Sequence, residues 1–332
     1  MTTTRPLFEA YPQLTDTLPW LQLADLPTPV EPLPDIGSNA WIKRDDISHA
    51  IYGGNKIRKL EFILADVMAQ GREHVVTFGA TGTNHGVATA MLCQKLGLRC
   101  TVLLFEQPES KTVRDNLLRM QQFGAELKFC GTLANTVMRY YCHPQRFSRK
   151  HYFLFAGGSN IAGTIGFVNA AFELWQQIEG GVCPMPARIF VPVGSAATLA
   201  GLTIGAALTG LKAEIVGIRV APSHLGVIPT CTVGTVHQLM KRTCNTLSRH
   251  GLEMPAIAAP KLIDSYYGEG YGVRSEAGDK ATAKFSGCGI ALDQTYTAKA
   301  AAAYLDSIEA SGEVQLYWHT YNSRPVKFLD VH

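Results

Sequence analysis

Between residues 74 and 220, short apolar runs alternate with stretches of helical length and periodicity, and no other feature restricts the fold of this chain so much. Residues 74–79 predict a strand ending in glycine, and a helix follows from about 84 to 96, closed by Gly97. Residues 99–105 predict a strand, 111–123 a helix closed by Gly124, and 125–129 and 152–155 further strands. The series continues with a helix over 161–178, a strand over 187–193, a helix over 198–208 and a strand over 214–220. Helices over about 235–250 and 297–310 precede a last strand over 314–319. Such alternation predicts parallel strands with covering helices. We expect an α/β fold of two open parallel-sheet units with helices on both faces. A ligand is expected between them, because such sheets bind at the carboxyl ends of their strands.

Composition narrows the class of partner. The 332 residues are 46% apolar, ample for buried cores. The net charge of +3 comes from 30 basic and 27 acidic residues without a long basic run, so the expected partner is a small molecule and not nucleic acid. The opening Met1-Thr-Thr-Thr-Arg-Pro-Leu-Phe lacks the apolar core of a signal peptide, and no later run is long enough to span a bilayer, so the expected address is the cytoplasm. Eight cysteines without a Cys-x-x-Cys pair read as free thiols, with no metal site. Seven prolines within residues 1–39 predict an irregular arm wrapping the body.

Five stretches carry candidate chemistry. In Gly53-Gly54-Asn55-Lys56-Ile57-Arg58-Lys59-Leu60-Glu61, Asn55 is placed to cap a helix whose apolar positions 57, 60, 64 and 67 share a face. Lys56 then sits in the first turn, where the helix dipole lowers its pKa and favours the amine that attacks an aldehyde. A solvated lysine reads equally from this stretch alone. Gly194-Ser195-Ala196-Ala197-Thr198 joins a predicted strand to a helix, as a phosphate-binding turn or an ordinary one would. Thr83-Asn84-His85 opens another helix and suits a carboxylate, or is a plain N-cap. Tyr271 lies in a glycine-broken aromatic loop, Tyr296 precedes the helix at 297, and Thr320 follows the last strand. Each of these also fits a packing role.

The nine residues from Gly53 to Glu61 resemble the cofactor-lysine segment of the D-cysteine desulfhydrase and 1-aminocyclopropane-1-carboxylate deaminase family, which uses pyridoxal 5'-phosphate on the type II fold. The likeness runs from about Leu26 to the C-terminus and implies that Lys56 carries the cofactor, with Lys59 as an accessory phosphate contact. By the same resemblance Gly194, Ser195, Ala196, Ala197 and Thr198 form the phosphate cup, and Thr320 meets the pyridine nitrogen. Thr83, Asn84 and His85 become substrate and ring contacts, with Asn84 at the ring hydroxyl. Tyr271 stands over the substrate, and Tyr296 is a proton-transfer phenol with a lowered pKa. Thr297, where the cyclopropane deaminases carry glutamate, favours elimination from D-cysteine to pyruvate, hydrogen sulfide and ammonia.

The resemblance also implies a small domain at 56–165 inserted into a large one at 1–55 and 166–332, and a homodimer. The sequence departs from the family pattern at Gly82, Val87, Ala196, Ala197, Arg274, Tyr321 and Asn322. Those departures leave open the deaminase reaction, β-replacement or another D-amino acid. A cofactor-binding module without turnover stays open beside them.

Overall fold

The computed structural model describes residues 5–225 and 228–324. The proline-rich arm holds a short helix α1 (Pro6–Ala10), a 3-10 turn and strand β1 (Val30–Pro32) before β2 (Ala40–Arg44). Its apolar residues Leu7, Phe8, Leu14 and Leu18 are buried in the larger core. The arm is also tied by charge: Arg5 pairs with buried Glu61, whose Oε1 accepts from the amides of Leu23 at 3.0 Å and Ala24 at 2.9 Å. Residues 1–4 of the expected arm and 325–332 of the expected large domain lie outside the described residues.

From α2 (Lys56–Ala69) the chain runs through β3 (His74–Ala80), α3 (Asn84–Lys95), β4 (Arg99–Phe105), α4 (Lys111–Gln122), β5 (Glu126–Gly131), α5 (Leu133–Tyr141) and β6 (His151–Phe153). These four strands form one parallel sheet in the order β5-β4-β3-β6. The chain then passes through α6 (Ile161–Glu179), β7 (Arg188–Val193), α7 (Ala197–Thr209), β8 (Glu214–Arg219) and a hairpin of β9 (His224–Leu225) and β10 (Ile228–Pro229). It ends with α8 (Val233–Arg249), β11 (Lys261–Ile263), α9 (Glu276–Gly287), α10 (Thr297–Ala310) and β12 (Gln315–His319). The second sheet has the order β1-β2-β12-β7-β8-β11. Only β1 runs antiparallel in it, so this sheet is mixed where an all-parallel one was expected.

Both faces of each sheet are covered, as the near-continuous apolar strands require. On the larger sheet, α6, α7 and α8 bury one face and α9 with the alanine-rich α10 bury the other. On the smaller, α2 and α3 pack one face while Tyr140 of α5 packs against Phe78 on the other. Ile57, Leu60, Leu64 and Val67 of α2 are all buried, as their spacing predicts. Asn55 differs from expectation. Its backbone is helical at φ −62°, and its side chain makes no capping bond. Its amide reaches Thr198 Oγ1 at 3.3 Å, and its carbonyl oxygen accepts from Lys56 Nζ at 2.8 Å.

The turn before Lys56 is stitched to the exit of β12. Gly54 has φ +98°, a left-handed backbone that glycine adopts without strain, and a Cβ there would lie 2.9 Å from the carbonyl oxygen of Thr320. A Cβ on Gly53 would lie 2.1 Å from the carbonyl oxygen of Asp46. The Asn55 amide donates to Thr320 O at 3.2 Å, and the Gly53 amide to Asn322 Oδ1 at 2.7 Å. Asn322, one of the departures noted above, therefore holds this turn with its side chain.

Candidate active site

A cavity of about 250 Å³ opens where the carboxyl ends of the parallel strands of both sheets meet. The exits of β3, β4, β7 and β12 bring Thr83, Asn84, His85, Phe105, Gly194, Ser195, Thr320 and Tyr321 to its wall, and the start of α2 adds Lys56 and Lys59. Tyr271, Asp293 and Tyr296 close it from the C-terminal part of the chain. Residues separated by as many as 265 positions are thus brought together, as a site between two open sheets requires.

Lys56 is the amine best placed for covalent chemistry. Removal of water by the surrounding protein lowers its pKa from 10.5 to about 8, with the Asp293 carboxylate opposing the shift. Desolvation causes the shift, in place of the helix dipole invoked above. At neutral pH about a tenth of such an amine is unprotonated, against roughly one part in three thousand for an ordinary lysine. Lys59 is also held well below its usual range, by burial first and by Lys56 second. Its Nζ, however, is committed to the Gly157 carbonyl at 3.1 Å and lies 5.7 Å from the Phe167 ring. Lys56 bonds only the side chain of its neighbour and is free to reach into the cavity. In the cofactor-free protein, trapping of a small aldehyde on Lys56 by borohydride should rise with pH around a midpoint near 8. A midpoint near that of free lysine would contradict this environment.

The two tyrosines form a unit. Their hydroxyls are hydrogen-bonded, and the rings meet edge to face with centroids 5.9 Å apart. A Cβ on Gly194 would stand 3.1 Å from Tyr296 Cε1, so the phenol lies directly against the Gly194 turn. Burial raises Tyr271 to about 12, and burial together with Tyr271 and Asp293 raises Tyr296 well above 10. The expected lowering of the Tyr296 pKa supposes a cationic cofactor beside it; in the cofactor-free protein the shift runs upward. A desolvated phenol beside another phenol and a carboxylate keeps its proton, and so serves as a donor.

Within the 83–85 trio it is Thr83 that caps α3, accepting from the Gly86 amide at 3.1 Å. His85 is almost wholly buried, and its ring is held neutral by burial and by the two lysines. Thr77 donates its hydroxyl proton to Leu154 O at 2.9 Å, so the His85 Nε2, 2.9 Å from Thr77 Oγ1, carries the hydrogen and Nδ1 the lone pair. Ala196, at φ −63°, and Ala197 are buried in the core, and neither is on the cavity wall. Ser195 and Thr198 line the cavity.

Several departures lose their bearing on substrate. Val87 is buried in the core of the smaller unit. Gly82 is held by Gln107, which accepts from its amide at 3.3 Å. Thr297 is absent from the cavity wall; its hydroxyl donates to Asp293 Oδ1 at 2.6 Å, so the choice of reaction rested on Thr297 loses its footing. Thr320 is the neutral hydroxyl that does reach the cavity, and His319 is buried against Tyr317, as a structural residue.

Asp293 was missed. Its carboxylate accepts from the amides of Thr295 at 3.1 Å, Tyr296 at 2.9 Å and Thr297 at 3.1 Å, fixing the turn that presents Tyr296. An aspartate a few residues before a helix was the available signal. Apolar lining from Phe78, Phe105, Leu133 and Phe155 was missed as well, since nothing in sequence marks a core phenylalanine as a wall.

A cavity with one accessible lysine of lowered pKa, two helix N-termini and hydroxyls at the strand ends fits an aldehyde cofactor bearing a phosphate. Comparison with known proteins agrees. The sequence model of the pyridoxal-phosphate dependent enzymes matches residues 21–316, and the chain belongs to this family. It is an enzyme whose cofactor is pyridoxal 5'-phosphate. It is 36% identical over 303 residues to the D-cysteine desulfhydrase of Klebsiella pneumoniae (strain 342), covering 87% of this chain and 88% of that one. The crystal structure of an ACC deaminase homologue superposes with a TM-score of 0.81 at 29% identity, covering 96% of this chain and 95% of that one. A fungal L-serine ammonia-lyase from Rhizomucor miehei, 14% identical with a TM-score of 0.65, shares the fold over 91% of this chain and 95% of its own.

Proposed function

We propose that this enzyme eliminates the β-substituent of a small D-amino acid, with D-cysteine converted to pyruvate, hydrogen sulfide and ammonia. The observation that carries the reading is the joint placement of the low-pKa Lys56 and the paired phenols Tyr271 and Tyr296 on one small cavity. The desulfhydrase relative supplies the substrate.

When bound, the cofactor would supply an electron sink that makes the hydrogen on the substrate α-carbon acidic. Lys56, released when substrate takes its place, accepts that proton at Nζ. The electron pair of the Cα–H bond forms the Cα–Cβ double bond, and the Cβ–S pair departs on sulfur. Tyr296 keeps its proton and donates it through Oη to the leaving sulfur, while Tyr271 orients it by their hydrogen bond. The unsaturated amine set free adds one water and yields pyruvate and ammonia. Thr83, Asn84 and His85 at the start of α3 hold the substrate carboxylate and the ring. Ser195, Thr198 and the amides of Ala196 and Ala197 hold the phosphate with Lys59, and Thr320 faces the ring nitrogen.

Tyr296→Phe should lower kcat on D-cysteine by about a hundredfold to ten-thousandfold while leaving the cofactor band intact. Unchanged turnover would remove Tyr296 from proton transfer. The second reading is deamination of 1-aminocyclopropane-1-carboxylate, favoured by the ACC deaminase homologue. A substrate panel separates the two: sulfide and pyruvate from D-cysteine support the first, and 2-oxobutanoate from the cyclopropane acid the second.

We also propose that residues 56–165 form a small domain within a large one made of 1–55 and 166–332, a division supported by the two separate sheets. A homodimer is proposed from the family resemblance, and a cytoplasmic address from the sequence reading above. Sedimentation of a single 36.1 kDa species would refute the dimer.

A further inference from the structure

We propose that Tyr52 and Asn116 are positioning residues that lock the side-chain amide of Asn84 so that its NH2 group faces the cavity as a hydrogen-bond donor. The chain of assignment begins at a backbone carbonyl. Asn116, buried on α4, lies with one amide atom 2.9 Å from Gly82 O, which only accepts, so that atom is Nδ2. The same nitrogen lies 2.9 Å from Asn84, and the Asn84 atom facing it is therefore the oxygen. The Tyr52 hydroxyl, 2.8 Å from that oxygen, is then a donor. Two donors fill the Asn84 oxygen, and among the described residues nothing accepts from its nitrogen, which belongs to a residue on the cavity wall. Rotating the amide by half a turn would face NH2 against the NH2 of Asn116 and lose that bond, and would turn the Tyr52 hydroxyl from donor to acceptor. Tyr52 itself is fixed: it is 2% exposed, and the Arg119 guanidinium lies 5.0 Å from the centre of its ring.

This inference rests on the reading that Asn84 meets the ring oxygen of the cofactor. A locked donor favours that oxygen in its anionic form, whereas a flipped amide would set an oxygen against it. The test measures dissociation constants of pyridoxal 5'-phosphate, and of its analogue lacking the ring hydroxyl, for the cofactor-free protein and three variants. Wild type should prefer the natural cofactor. Tyr52→Phe, which keeps the ring under Arg119, should narrow that preference by several-fold, and Tyr52→Phe with Asn116→Ala by about tenfold. Asn84→Ala should narrow it at least as much. The variants that narrow it should also shift the pH at which the visible band of the holoenzyme changes, which a merely structural role would not move. If Asn84→Ala narrows the preference and the Tyr52 and Asn116 variants do not, the lock is refuted and the Asn84 reading stands. If Asn84→Ala leaves the preference intact, the reading itself fails and the lock with it. Should the double variant fail to fold, Tyr52→Phe alone decides.

Discussion

Lys56→Ala is expected to abolish the visible absorbance of the cofactor complex and to lower turnover of D-cysteine by at least about a thousandfold. Two roles fall on this one amine in the proposed reaction, holding the cofactor and accepting the α-proton, and no neighbour can assume them. Among the described residues Lys59 is the sole other lysine on the cavity wall, and its Nζ is held by the Gly157 carbonyl on the phosphate side of the proposed site. The fold of the variant should be intact, because the truncation removes a partly accessible side chain whose own partner is the adjacent Asn55. Absorbance spectra and initial rates check both halves. A variant that keeps the band or the rate would place the chemistry elsewhere.

The largest effect on stability is expected from Glu173→Ala. Glu173 on α6 lies at the centre of a buried set of charges. Its Oε1 accepts from Lys43 Nζ at 2.5 Å and from Arg58 Nη2 at 2.8 Å, and its Oε2 from Arg58 Nη1 at 2.8 Å. Arg58 also forks onto Asp45, to which Trp318 of β12 donates at 2.8 Å. The network thus joins the first turn of α2, two residues beyond Lys56, to β12, the strand that leads into Thr320. Burial works against the Glu173 charge, but Arg58 and Lys43 outweigh it and hold the carboxyl well below its ordinary 4.5. With a depressed folded pKa, its contribution is present above about pH 4.5 and is lost as pH falls below that. Truncation leaves two cations in the interior and should cost about 3 to 5 kcal/mol, read by denaturant unfolding at neutral pH. A loss below about 1 kcal/mol would mean that water reaches and screens these groups.

This network was illegible in the sequence. Lys43, Asp45, Arg58 and Glu173 sit among ordinary charged residues, and Glu173 is 115 positions from Arg58. Nothing local shows that they meet. The alternation of strand and helix was legible because each element carries its own signal, whether an apolar run, a helical period or a closing glycine. The helix over residues 297–310 matches to the residue. The missing elements lack such signals. Strand β11 has three residues, and α9 buries only Gly278, Ala281 and Phe285, too few for a visible stripe. Helix α5 is nine residues rich in polar and aromatic side chains, although its capping Thr132 was there to be read.

The site divides in the same way. Lys56, Tyr271, Tyr296, the turn at 83–85 and Gly194, Ser195 and Thr198 lie in stretches whose order is distinctive, and the structure brings them to one cavity. What their order could not convey was electrostatics. The shifts at Lys56 and Tyr296 in the cofactor-free protein follow first from desolvation by residues distant in sequence. Asp293 and Tyr52 act through hydrogen bonds to other site residues, so their roles appear only once those partners are in place.

The central claim is that the cofactor is held by Lys56. Reduction of the holoenzyme with borohydride fixes the carbonyl carbon of the cofactor to the nitrogen that holds it, and digestion followed by mass spectrometry reads the position. The phosphopyridoxyl group is expected on Lys56 in one-to-one yield per chain; its recovery on Lys59 or any other lysine would contradict the account.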